Sequence, residues 1–90
     1  MSKYQISKES AYIIKPIALT VALNDSVPSA QLEGFLVELE ALEPSKIRDV
    51  VIEHIRATMR FRANMSDRNA TQMSLSYHIV SSTMMNTIEV

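Results

Sequence analysis

The chain has 90 residues, 47% of them hydrophobic and 21% charged, with a net charge of −1 and no cysteine. That balance points to one small folded domain and excludes a disordered chain, a disulfide framework and a thiolate metal site. Two histidines, His54 and His78, are too few for a structural zinc centre, and no apolar run reaches the roughly 18–20 residues of a membrane span.

In chain order, residues 1–12 are polar, with Lys3, Lys8 and several serines, and read as a flexible arm. The opening Met-Ser-Lys-Tyr-Gln-Ile lacks the apolar segment of a signal peptide, so an intracellular, cytoplasmic location is expected. From Ile17 to Leu23 apolar side chains alternate strictly, the period-2 pattern of a strand with one buried face. Ile13 and Ile14 extend it upstream, and Pro16 marks its edge or beginning. Asn24-Asp25-Ser26 supplies turn and N-cap chemistry, and Pro28 suits the first turn of a helix.

The period then changes to that of a helix. Leu32, Phe35, Leu36, Leu39 and Leu42 form one apolar stripe, interrupted by the chain's one glycine, Gly34, which costs about 1 kcal/mol against alanine and points to a close packing contact. Glu43-Pro44-Ser45 breaks this helix and caps the next, whose stripe is Ile47, Val50, Val51, Ile55 and Met59. The first helix is acidic (Glu33, Glu38, Glu40, Glu43), and the second is basic, with Lys46, Arg48, Arg56, Arg60 and Arg62 against Asp49 and Glu53. Such helices either neutralise one another or orient a polyanion. His54 lies within the second stripe and reads as a packed side chain.

Residues 63–90 fit two patterns. Met73, Leu75, Tyr77 and Ile79 alternate like a strand, whereas Met73, Tyr77, Val80 and Met84 follow a helical stripe. Their Ser, Thr, Tyr, His, Ile and Val content favours the extended form, with Ser66-Asp67 capping a short helix ahead of it. Only Asp67, Arg68 and Glu89 are charged here, so the segment is expected to be partly buried. A lone strand and two helices enclose too little interior for one chain, and an unpaired strand seeks a second strand; two copies meet both needs.

Strand, helix, tight break and helix resemble the ribbon–helix–helix family of the Arc and methionine repressors. The likeness rests on Leu19-Thr20-Val21-Ala22-Leu23 and on Ile47-Arg48-Asp49-Val50-Val51-Ile52-Glu53-His54-Ile55, separated by 23 residues. It implies a mostly α fold with a short β-strand: a β-α-α intertwined homodimer over residues 13–62, plus an extra C-terminal strand or helix over 63–90 for oligomerisation or effector contacts. Leu19, Val21, Leu23, Leu36, Leu39, Val51 and Ile55 would form the shared dimer core. Ala18, Thr20 and Ala22 would face the major groove, with Lys15 nearby, and Ser45, Lys46 and Arg48 would clamp a phosphate beside Pro44. The outward face is bare, since only Thr20 can hydrogen-bond a base.

The resemblance implies a sequence-dependent DNA-binding homodimer: a small transcriptional repressor, an antitoxin or a plasmid-partition centromere binder. The bare ribbon and acidic first helix favour an alternative, a phage- or plasmid-type protein-interaction module that inhibits or tethers a host protein without binding DNA. A protein partner would then engage the C-terminal segment. Catalytic motifs, a glycine-rich phosphate loop and metal-ligand spacing are all missing from the sequence, so no enzyme activity, cofactor or metal is expected.

Overall fold

A computed structural model describes residues 3–24 and 26–90. In chain order they form strand β1 (Tyr4–Ile6), helices α1 (Lys8–Leu23), α2 (Ser29–Glu40), α3 (Lys46–Ala63) and α4 (Asp67–Met85), and strand β2 (Thr87–Glu89). The ribbon–helix–helix expectation is therefore corrected: the segment expected to be the ribbon is the second half of a 16-residue helix. The alternation of Ile17 to Leu23 is genuine, but seven residues satisfy both periods. The upstream residues decide between them. Ser10, Ala11, Ile14, Ile17 and Ala18 are buried, and Val21 is half-buried, all at helical spacing.

Local chemistry supports α1 at its start. Ser7 caps it, its Oγ accepting from the Ser10 amide at 3.2 Å. Pro16 lies inside the helix with its ring exposed, and Thr20 Oγ1 donates to the Pro16 carbonyl at 2.8 Å. The stretch expected to be a flexible arm supplies β1 and the first turns of α1, and Ile6 enters the core. Met1, Ser2 and the Asp25 of the expected turn lie outside the described residues.

Helix α2 follows Pro28 and buries Leu32 and Leu39, with Phe35 and Leu36 half-buried. Gly34 faces solvent, and a Cβ built there meets nothing within 4 Å. The expected close contact is absent, so the glycine contributes only its backbone entropy. Gly34→Ala should therefore stabilise the fold by about 0.5–1 kcal/mol. Urea unfolding checks this through a higher midpoint at constant m.

Helix α3 is the axis of the molecule. Ser45 caps it by accepting from the Arg48 amide at 3.2 Å. Its buried residues, Ile47, Val50, Val51, Ile52, His54, Ile55 and Ala57, cover more than half its circumference. Helices α1, α2 and α4 all pack on it, α4 most extensively.

Residues 67–85 are helical rather than extended, a second correction. Ser66 accepts from the Asn69 amide at 3.1 Å, and the cap begins a 19-residue helix instead of a short one. Packing on α3 through Ser76, Val80 and Thr83 outweighs the weak intrinsic preference of its serines and threonines.

Strands β1 and β2 pair in parallel, Tyr4 opposite Thr87 and Ile6 opposite Glu89, which ties the start of α1 to the end of α4. Lys15 reinforces this end, its Nζ 2.7 Å from Glu89 Oε1. Ile14, Leu32, Leu39, Ile47, Val51, Ile55 and Val80 are the largest fully buried side chains. One chain thus encloses a core of its own, which removes the reason for an intertwined dimer.

Candidate interaction surface

No Asp, Glu, Lys or Arg occurs from Asn69 to Ile88, almost all of α4 and its exit into β2. Once this run is helical, its outer side carries Thr71, Leu75, His78, Ile79, Ser82 and Met85. Leu75 is 57% exposed, Ile79 49% and Met85 82%. Leu75 and Ile79 are one turn apart and so adjacent on the surface. Single exposed apolar side chains are ordinary, whereas a helix face that carries three large ones among neutral polar residues, with no acid or base along it, is not.

The outer side of α3 provides the contrast. Arg60 Nη2 meets Glu53 Oε1 at 2.8 Å, and Arg56 Nη2 reaches across to Glu40 Oε1 of α2 at 3.0 Å. The acidic and basic helices thus neutralise one another in part, which leaves a solvated, ion-paired face. Exposed pairs of this kind add little stability, but they mark a surface adapted to water.

The residues expected to touch DNA do not converge. Lys15 pairs with Glu89, Ala18 is fully buried, and Thr20 is engaged with the Pro16 carbonyl. Ala22 is half-buried near the end of α1. Ser45 is occupied as a helix cap, and Lys46 is exposed at the first position of α3. Arg48 folds back, with Nη1 donating to the Leu42 carbonyl at 2.8 Å and Nε to Asp49 Oδ1 at 3.1 Å.

The expected dimer-core set divides. Leu39, Val51 and Ile55 are fully buried within the single chain, and Val21 and Leu36 are half-buried. Leu19 and Leu23 face solvent, at 50% and 78% exposure, because helical geometry puts Ile14, Ile17 and Ala18 inside instead. Tyr12, Pro16, Leu19 and Leu23 consequently line the outer face of α1. The strip on α4 was missed because an extended segment would have placed Leu75 and Ile79 on the same side as Met73 and Tyr77. The uncharged run was the signal for it, once read at helical period.

Beneath α4, His54 of α3 holds the seam. Its Nδ1 shares a hydrogen bond with Ser76 Oγ at 2.7 Å, and Ser76 Oγ lies 2.8 Å from the Met73 carbonyl oxygen. A serine beside a histidine invites comparison with a nucleophile and its base. Ser76 is buried in mid-α4, however, where neighbouring amides are committed to the helix and offer no oxyanion site. The pair is a buried polar clamp between α3 and α4.

Burial lowers the His54 pKa below its ordinary value, while hydrogen bonding to the Val21 backbone at the end of α1 opposes the shift. The unfolded chain therefore takes up this proton more readily than the folded one. The His54 contribution to stability is complete above about pH 6.5, falls as pH drops through that value, and levels off below the lowered folded pKa. Denaturation midpoints at pH 7.5 and 5.5 should show the wild type losing stability and His54→Gln losing less. The Lys15 ammonium lowers the Glu89 carboxyl pKa, so that group titrates well below this window.

No protein-family model matches the chain, and comparison with curated proteins and with solved structures gives no match. Among the described residues no helix is long and apolar enough to cross a membrane.

Proposed function

We propose that this chain is a non-catalytic protein-interaction module that docks through the outer face of α4, and that a second copy of the chain covers this face. The observation that carries the reading is the uncharged strip containing Leu75, Ile79 and Met85 on a folded, water-exposed helix. Interface centres are depleted of charge and enriched in large apolar side chains, methionine among them. Self-association fits because a twofold axis places like against like. A strip without charge suffers no repulsion there, and it carries no electrostatic code to select a different partner.

The DNA-binding expectation has lost its structural basis. Its ribbon is a helix, and of the bases on α3, Arg56 and Arg60 are paired with acids while Arg48 is folded onto the backbone. With a net charge of −1 the chain also lacks a global attraction to polyanions.

A helix of 19 residues is about 28 Å long, so one helix face offers less area than the roughly 800 Å² per partner of a standard interface. Association should be weak, with a dissociation constant of roughly 10 μM or above. Sedimentation between about 10 μM and 1 mM should show a monomer–dimer equilibrium. Leu75→Asp with Ile79→Asp should leave a folded monomer at every concentration, since both side chains already face water. A wild type that stays monomeric at 1 mM, or a double variant that dimerises equally well, would refute the proposal.

A further inference from the structure

The end of α1, the start of α2, the last turns of α3 and the N-terminal half of α4 surround a cavity of about 620 Å³. Pockets of this size enclose most of a small organic ligand. Val27, Leu32, Phe61, Met65, Met73 and Tyr77 supply its apolar wall. Phe61 and Tyr77 are aromatic, and the polarizable sulfurs of Met65 and Met73 pack favourably against ring edges. Met65 is 73% exposed, and its unbranched side chain adapts to different shapes. The charged and basic groups of the lining are committed within the chain. Arg62 Nη1 donates to Ser29 Oγ at 3.3 Å, and Arg62 is engaged beyond that bond as well. Thr58 Oγ1 donates to the His54 carbonyl at 2.9 Å, and His54 Nδ1 is taken up by Ser76. Ser74 and Tyr77 differ: both line the cavity, and neither side chain makes a hydrogen bond among the described residues.

We propose that this cavity binds a neutral, flat aromatic molecule of two fused rings with one hydroxyl group, its rings among Phe61, Met65, Met73 and Tyr77. Neutrality follows because a buried charge without a partner is costly, and the guanidinium at the wall is already engaged. Ring–ring and sulfur–ring contacts favour an aromatic body over a saturated one of the same size. A rigid ring system also loses less freedom on binding than a flexible chain. The ligand hydroxyl finds its partner in Ser74 or Tyr77, each able to donate and to accept. This site is separate from the outer face of α4 and stands independently of the self-association proposed above.

The test is a calorimetric titration of the full chain at pH 7.5 with 2-naphthol, 2-naphthoate and decahydro-2-naphthol. The first is neutral and aromatic, the second carries a charge on the same rings, and the third is their saturated counterpart. 2-Naphthol should bind one to one with a dissociation constant on the order of 10–100 μM. 2-Naphthoate should bind at least about tenfold more weakly, because its carboxylate gives up water and gains no free cation. Decahydro-2-naphthol should be roughly fivefold weaker, for want of the ring and sulfur contacts. Ala22→Phe, which fills the chamber, should weaken 2-naphthol at least about tenfold; Ser74→Phe provides the same obstruction from α4 should the first variant not fold. Leu75→Asp with Ile79→Asp should leave 2-naphthol affinity unchanged, which separates the cavity from the docking face. No binding of 2-naphthol up to about 1 mM overturns the proposal. So does a carboxylate or a saturated alcohol that binds as tightly as 2-naphthol. Affinity that is indifferent to the filling variants, or that is lost with the α4 face, overturns it too.

Discussion

Ile14→Ala should cost about 2–5 kcal/mol of unfolding free energy, whereas Leu23→Ala should cost less than about 0.5. Ile14 is fully buried in the core cluster, and Leu23 is 78% exposed. At about 4–8 °C per kcal/mol for a domain of this size, the first substitution lowers Tm by at least about 8 °C. Small domains have roughly 5–15 kcal/mol to lose, so Ile14→Ala leaves a marginal fold. The contrast is diagnostic, because an alternating strand with Leu19, Val21 and Leu23 inside predicts a large loss at Leu23. Thermal unfolding of the two variants side by side checks it. Equal losses, or a larger one at Leu23, would place the wrong face of this segment in the core.

Pro16→Ala should stabilise the protein by about 2 kcal/mol and raise Tm by about 8–16 °C. Proline in the interior of α1 lacks the amide that would bond the Tyr12 carbonyl, and its ring crowds that carbonyl. An interior proline costs a helix about 3 kcal/mol, part of which it returns by stiffening the unfolded chain. Alanine restores the bond at an exposed position where nothing else changes. A proline at the edge or start of a strand would behave differently, since neither place demands a donor and the substitution would be near neutral. Equilibrium denaturation of Pro16→Ala therefore separates helix from strand at this position without any structural measurement.

The middle of the chain was legible at the level of the residue pattern. Leu32, Leu36 and Leu39, then Ile47, Val51 and Ile55, sit on the inner faces of α2 and α3, and Ser45 caps α3 where a Pro-Ser break was read. Those segments are long enough for only one period to fit. The two flanking helices were not legible. In Ile17–Leu23 a seven-residue alternation overrode the helical stripe that begins with Ala11 and Ile14 beyond Pro16. In α4 intrinsic preference pointed the wrong way, and contact with α3 through Ser76, Val80 and Thr83 decided the conformation. In both segments a short local signal, alternation in one and intrinsic preference in the other, gives way to tertiary packing.

The site followed the same division. The neutralisation of α2 by α3 was one of two readings of their opposite charges, and the Arg56–Glu40 pair realises it. The polar role of His54 was not foreseen, since Ser76 is 22 positions away and becomes its partner only when residue 76 is helical. Leu75, Ile79 and Met85 were visible as apolar residues in an uncharged run, but their shared exposed face exists only in a helix.

Backbone NMR of the full chain at low concentration, where dimers are dissociated, tests the central claim most directly. Secondary chemical shifts should be helical through Lys8–Leu23 and again through Asp67–Met85, with nuclear Overhauser contacts from His54 to Ser76 within one chain. Extended shifts across Ile17–Leu23, with contacts pairing that segment to its counterpart in a second subunit, would contradict the four-helix core and the α4 face that depends on it.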